Sequence, residues 1–164
     1  MMKKTLPNRK PTRLKNYDYS QNGYYFITIC THNKQKLLCN IVGDGVYDIP
    51  QTNLTQYGMI VEKYIDFMNS KYKNIFIDKY VIMPNHIHLI IKIEIKSCIG
   101  MSQAPSPTAN AIIPKFISLF KRYCNHEIGN NIFQRSFHDH IIRNEQEYFH
   151  IVNYIVNNPQ KWSQ

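Results

Sequence analysis

Two histidines, His86 and His88, interrupt the otherwise apolar run YVIMPNHIHLII at residues 80–91. Imidazole ligates metals and moves protons near neutral pH, so a spaced pair is first of all a chemical feature. Side chains alternate between faces along an extended chain. The stretch HIHLIIKIEI therefore puts Ile87, Leu89, Ile91, Ile93 and Ile95 on one face, and His86, His88, Ile90, Lys92 and Glu94 on the other. The first face is uniformly apolar and belongs to a core. The two histidines share the opposite face, about 7 Å apart along the strand. Metal binding, catalysis and a satisfied histidine near a core all stay open for them. A second pair, His138 and His140 flanking Asp139 in FHDHII, lies in a more polar stretch. Periodicity alone does not rank it lower.

The other chemically notable side chain is a tyrosine. In NEQEYFHIVNYIVNNPQKW, Tyr148, Ile151, Val152 and Ile155 recur at helical spacing and form a core stripe. Asn144 and Glu147 make a capping-box pattern at the start, and Pro159 ends the helix. Tyr154 projects roughly 110° away from the stripe. It shares its side of the helix with His150 and Asn158, four residues before and after it. An off-stripe tyrosine is ordinarily an amphipathic surface residue; a reactive phenol is the alternative.

Such a site needs elements to hold it. YYFITICT (residues 24–31) is a β-branched and aromatic strand. TNLTQYGMIVEKYIDFMNSKY carries Leu54, Tyr57, Val61, Tyr64 and Met68 at helical spacing, opened by a capping Thr or Asn. IFIDKYVIM and HIHLIIKIEI are strands joined at Pro84-Asn85, a turn signal. IPKFISLFKRYCNHEI is helical, with Pro114 in its first turn and Ile113, Phe116, Ile117 and Phe120 on one stripe. IFQRSFHDHIIR reads as a fourth strand, or a strand running into a loop. The order is βαββαβ followed by α, an α+β protein. Two crossover helices pack on one face of a four-stranded antiparallel sheet in the ferredoxin-like arrangement. The other face is left for the C-terminal helix. The small, polar, Pro-containing residues 97–111 read as a flexible loop within one domain spanning 1–164, and residues 1–20 as a basic N-terminal arm.

Composition narrows the partners. The 164 residues carry 20 Lys and Arg against 11 Asp and Glu, a net charge of +9. Six of the cations (Lys3, Lys4, Arg9, Lys10, Arg13 and Lys15) precede the first acid, Asp18. With 13% aromatic residues, such a chain suits nucleic acid, whose phosphates meet cations and whose bases meet rings; simple solubility explains the charge equally well. No apolar run approaches the roughly 20 residues of a membrane span. The N-terminus has no apolar signal region, so no membrane partner and a cytoplasmic home are expected. The four cysteines lack CxxC spacing, so neither a zinc knuckle nor a disulfide framework is indicated.

Three stretches together resemble one family. MPNHIHLI is similar to the His-hydrophobe-His motif of single-tyrosine HUH transposases, in particular the REP-associated tyrosine transposases. RKPTRLKNYDYSQNGYYFITICT resembles their N-terminal segment, and FHDHIIRNEQEYFHIVNYIVNNPQKW resembles their C-terminal one. The motifs arrive in the family's order and cover nearly the whole chain. The resemblance implies that His86 and His88 are metal ligands, that Tyr154 is the nucleophile, and that Asn158 supplies a third ligand or polar partner. It implies cleavage of single-stranded DNA beside a hairpin, through a 5′-phosphotyrosine link and a free 3′-OH, with Mg²⁺ or Mn²⁺ as cofactor. Mg²⁺ prefers oxygen ligands, so two imidazoles need a third oxygen ligand such as the Asn158 amide; Mn²⁺ tolerates a mixed site better. Arg9, Lys10, Arg13, Lys15, Lys121, Arg122 and Arg135 are candidate contacts to the DNA backbone. Relatives differ in whether the tyrosine helix serves its own chain or a partner's, so monomer and homodimer both stay open.

Two other readings compete with this transposase. A non-catalytic hairpin-binding protein would keep the fold but have no need of the His-x-His and Tyr set. A small-molecule phosphoesterase would have no need of the basic arm.

Overall fold

Along the chain the elements are β1 (Gly23–Cys30), β2 (Cys39–Val42), β3 (Gln51–Leu54), α1 (Gln56–Lys71), β4 (Ile75–Met83), β5 (His86–Ile93), α2 (Ile112–Ile128), β6 (His138–Ile142), α3 (Glu145–Val156) and α4 (Asn158–Trp162). They belong to a computed structural model that describes residues 17–43, 51–95 and 112–162. Four strands make one sheet in the order β4-β5-β1-β6, and every neighbouring pair in it is antiparallel. The protein is therefore of mixed α+β class. The basic arm as far as Lys15 and the expected loop at 97–111 lie outside the described residues.

Alternation sorts the sheet into two faces. Tyr25, Ile27 and Ile29 of β1 pair with Ile91, Leu89 and Ile87 of β5, and all six are fully buried. Val61, Ile65 and Met68 of α1 and Ile113, Phe116, Ile117 and Phe120 of α2 close over this face. Each such aliphatic side chain contributes about 1.5–3 kcal/mol by leaving water. The opposite face carries a smaller cluster in which Ile90 and Ile142 pack against Ile151 and Ile155 of α3. The helix bearing Tyr154 thus lies on the face that carries the histidines. Ile95, expected in the core row, falls just beyond the end of β5 and is 38% exposed.

A phase break in β4 serves both faces. Its buried residues are Ile75 and Ile77 on one side of Asp78, and Ile82 and Met83 further on. An odd spacing cannot keep one face inward without an extra residue. The pairing with β5 shifts register between Ile77 and Lys79, so Asp78 is the bulged residue. Its carboxylate Oδ2 accepts a 2.5 Å hydrogen bond from the Tyr148 hydroxyl on α3.

Two segments depart from the sequence reading. Helix α1 begins at Gln56, with Thr55 as its N-cap accepting from the Gly58 amide at 3.2 Å. Leu54, placed on the helical stripe by its spacing, instead ends β3, which forms an unforeseen two-stranded ribbon with β2. The fourth strand is also shorter than IFQRSFHDHIIR suggested. Residues 132–137 cross the end of β1, with a single bridge between Thr31 and Phe133, before β6 starts at His138.

The ribbon explains a glycine. A Cβ at Gly58 would lie 2.1 Å from the Leu38 carbonyl oxygen, and that oxygen is already held by the Thr55 amide at 2.9 Å. The backbone on both sides is fixed, so neither can yield cheaply. Gly58→Ala is expected to destabilise the protein by about 3 kcal/mol despite alanine's better helix propensity. A thermal melt should show a fall of roughly 9 °C; an unchanged melt would mean that the ribbon does not press on α1.

Candidate functional site

His86 and His88 sit at the start of β5, opposite Cys30 and Thr28 of β1. Their Nε2 atoms face each other at 3.1 Å. Each ring is held by its other nitrogen. Nδ1 of His86 is 2.7 Å from Asn85 Oδ1, and because a carbonyl oxygen only accepts, Nδ1 carries the proton and Nε2 the lone pair. Nδ1 of His88 is 2.9 Å from the Thr28 hydroxyl, which can donate or accept and so supports either tautomer. Phe26 stacks on the His88 ring at 5.1 Å and 27°.

Burial keeps these imidazoles neutral. His88 is 5% exposed, and desolvation together with the neighbouring His86 lowers its pKa to about 3. Desolvation, assisted by the cation of Lys34, lowers that of His86 to about 4. Unfolded histidines titrate near 6.5. The folded state therefore resists protons that the unfolded state accepts, and stability present above about pH 6.5 drains away as the pH falls toward 4. The melting temperature of the unaltered protein should fall more steeply between pH 7 and 4.5 than that of a His88→Gln variant. Parallel slopes would show that His88 carries no such penalty.

Tyr154 comes from above. Its hydroxyl is 3.4 Å from His88 Nε2, and its ring meets His88 at 5.3 Å and Phe26 edge-on at 6.1 Å. At 36% exposure it remains open to solvent. Helix α3 is set by its N-cap, where the Asn144 side chain accepts from the Glu147 amide at 2.8 Å and Glu147 accepts from the Arg143 amide at 2.7 Å. Tyr148, expected as a plain core residue, is half-buried and also bonds Asp78, tying the helix to the sheet.

The chain bends after Tyr154. Helix α3 ends at Val156 and Asn157 caps it, so Asn158 opens α4 instead of continuing the same helix. Asn158 is 6% exposed. At the other end of α4, the Trp162 ring lies 5.8 Å from His86. The ammonium groups of Lys161 and Lys36 stand 5.5 and 5.9 Å from the rings of Tyr154 and Trp162. With Lys34 beside His86, three cations surround the mouth of the site. Lys34 follows Asn33 in a turn where both have positive φ, 54° and 53°, a conformation that costs an ordinary side chain energy.

The sequence reading singled out the two histidines, Tyr154 and Asn158 but missed Thr28, Phe26, Asn85, Trp162 and these lysines. Thr28 had a visible signal: it is the polar residue on the non-core face of an apolar strand, directly opposite His88. The lysines had none, because the turn and α4 that bring them in are set by tertiary packing.

The rival pair takes a different place. His138 and His140 lie on edge strand β6 and both are exposed. His140 Nε2 is engaged by Glu147 at 2.6 Å. Asp139 turns to the other face, where its Oδ1 is buried without a hydrogen bond.

The basic candidates divide. Arg9, Lys10, Arg13 and Lys15 lie outside the described residues. Arg122 and Arg135 are exposed, the latter ahead of β6 and not within it. Lys121, also a candidate backbone contact, is almost wholly withdrawn from solvent. Its ammonium is buried, donates to the Gln134 and Ser136 carbonyls at 2.8 Å each, and has its pKa lowered to about 8 by desolvation. Cys30, Cys39 and Cys124 are free thiols.

The histidine pair fits a divalent ion by the chemistry of its donors. Two neutral imidazoles direct Nε2 atoms at one point, with their Nδ1 atoms anchored. A separation of about 3 Å is what neighbouring ligands keep around a six-coordinate ion with bonds of about 2.1 Å. Among the described residues no cluster of three His, Cys, Asp or Glu side chains accompanies them, so a third ligand drawn from these residues would be an amide, a hydroxyl or a backbone carbonyl.

No family model matches the chain. An uncharacterized protein of Haemophilus influenzae is 34% identical to it over 173 residues, covering 97% of this chain and 92% of that one. A solved REP-associated tyrosine transposase, bound to a REP hairpin, superposes with a TM-score of 0.61 at 22% identity, over 91% of this chain and 73% of the other. That second likeness is one of fold.

Proposed function

We propose a metal-dependent single-strand DNA transesterase of the transposase kind, from the premise that the chain belongs to one family with the Haemophilus influenzae protein and has the fold of a REP-associated tyrosine transposase. One observation carries the reading: the Tyr154 hydroxyl stands 3.4 Å from an Nε2 atom that itself faces a second imidazole at 3.1 Å. A nucleophile beside a two-histidine ion site is what phosphodiester transfer needs. We read the strand order as the ferredoxin-like arrangement, with α3 as the added helix that delivers the tyrosine to the histidine face.

In this reading His86, His88 and Asn158 hold Mg²⁺ or Mn²⁺. When bound, the ion neutralises the phosphate and stabilises the departing oxygen. Lys34, Lys36 and Lys161 draw the strand toward the site by its charge. Phe26 fixes the rings of His88 and Tyr154 relative to each other, so the phenol oxygen is placed before the substrate arrives. The Tyr154 oxygen forms a bond to phosphorus and the bond from phosphorus to the 3′-oxygen breaks. The phenol gives up its proton, the leaving strand ends as a 3′-OH, and the 5′-phosphate stays on the protein. Because one phosphodiester replaces another, a 3′-OH can reverse the step and rejoin DNA without an added energy source.

The test is incubation with an end-labelled DNA hairpin carrying a single-stranded flank, with Mg²⁺ or Mn²⁺, followed by a denaturing gel. A covalent protein–DNA adduct is expected. Hairpin binding without any adduct, in either ion, would leave the non-catalytic binding protein as the better reading.

A further inference from the structure

Behind the sheet from Tyr154 lies a second feature that the transesterase does not use. A cleft of about 630 Å³ opens between α2 and the segment 129–137 that leads to β6. Lys121, Arg122, His126 and Arg135 line it, together with asparagine side chains, and among the described residues no carboxylate does. Among the described residues neither Arg122 nor Arg135 makes an ion pair. Lys121 is fastened to the cleft wall by its bonds to Gln134 and Ser136, so one charge is held in place. The two arginines are exposed: Arg122 has the exchangeable Tyr123 hydroxyl as a neighbour, and both can turn onto a ligand. An acid-free hollow with three permanent or near-permanent cations attracts an anion, and arginine forks match phosphate oxygens two at a time.

The position of the cleft relates it to the catalytic face. The Gln134 amide donates to the Cys30 carbonyl at 2.9 Å, and Cys30 pairs with His86. The cleft wall and the ion site are thus separated by the end of a single strand, β1. A DNA strand lying on His86 and Tyr154 needs only to pass over that end and the segment 132–137 to reach Arg135. The cleft's size decides which part of the DNA does so. Unpaired nucleotides enter a hollow of this volume, and the Asn130 and Asn131 amides can meet base edges there. A duplex stem, whose phosphates lie on the outside of a broad cylinder, cannot.

We infer that this cleft binds the phosphodiester backbone of the unpaired flank of the DNA, holding it after it leaves the catalytic face. The inference rests on the DNA reading above and adds where the flank goes.

The experiment compares the full-length protein with an Arg122→Ala/Arg135→Ala double variant, using fluorescence anisotropy with chelator present so that no strand is cut. The probes are one labelled hairpin with a single-stranded flank of about eight nucleotides and the same hairpin without it. For the flanked probe, affinity should fall at least about tenfold at low salt, and the slope of log affinity against log salt should lose about 1.4, two phosphates' worth. The blunt hairpin should bind both proteins alike. Equal losses for both probes would mean that the cleft seats the stem, and would overturn the assignment. So would a lower melting temperature with unchanged affinity, the result expected if the cations only balance the C-terminal dipole of α2. Failure of the unaltered protein to prefer the flanked probe would do the same. The adduct assay stands apart: no adduct with flank-dependent binding intact removes the catalytic reading and keeps the cleft, and an adduct with no binding loss does the reverse.

Discussion

Tyr154→Phe is expected to abolish the covalent protein–DNA adduct while hairpin affinity and thermal stability stay near those of the unaltered protein. The substitution removes one oxygen, whose recorded neighbour is His88 Nε2 at 3.4 Å, and keeps the ring against Phe26 and His88. No core contact is lost, so the fold has little reason to respond. The chemistry has every reason to, since phenylalanine offers no atom that can bond to phosphorus. Tyr148→Phe in the same helix makes the contrast. Its hydroxyl is the partner of the Asp78 carboxylate at 2.5 Å, and leaving that part-buried group unpaired should cost about 1–3 kcal/mol. The Tyr148 variant should therefore melt earlier yet still form the adduct, and the Tyr154 variant should do the opposite. An adduct that persists in the Tyr154 variant would mean that another tyrosine carries the reaction.

That contrast also marks where the sequence could be read and where it could not. The row Ile87, Leu89, Ile91 and Ile93 faces the core and the two histidines face away, as simple alternation requires, because a one-residue slip would bury both imidazoles among isoleucines. The helical stripe placed Ile151 and Ile155 inward and left Tyr154 half open for the same reason. Asp78 was legible only as a break in phase within IFIDKYVIM. The bulge it signals, and its bond to Tyr148, depend on a helix 70 residues away. The β2–β3 ribbon was missed because Leu54 fits helical spacing and four-residue strands carry almost no periodicity. The burial of Lys121 was not legible because charge in a sequence does not disclose burial; two backbone carbonyls replace the water it gives up. Asn158 opens a separate short helix after the cap at Asn157, a break that helical spacing could not foresee.

The second large effect is expected at the histidines themselves. His86→Ala and His88→Ala each remove one of two Nε2 donors that face each other at 3.1 Å, and one imidazole alone holds a divalent ion weakly. Calorimetric titration with Mn²⁺ should show binding to the unaltered protein and its loss in either variant, a readout that needs no DNA. Adduct formation should fall by at least about a hundredfold, since charge neutralisation at a phosphate is worth several kcal/mol. Hairpin affinity should change little, because it rests on cations that neither substitution touches. The two variants differ in one respect. His88 is nearly fully buried and its removal strands the Thr28 hydroxyl, so His88→Ala should also lower stability, whereas the half-buried His86 can be truncated with less harm. His86→Ala is thus the cleaner test of the ion site. His138→Ala is its control: that residue lies on the same face one strand beyond Thr28, but it is exposed, and its neighbour His140 is taken by Glu147. It should leave Mn²⁺ binding intact. If Mn²⁺ binding instead survives in His86→Ala and disappears in His138→Ala, the ion belongs to the edge strand, and the placement of Tyr154 over His88 loses its chemical meaning.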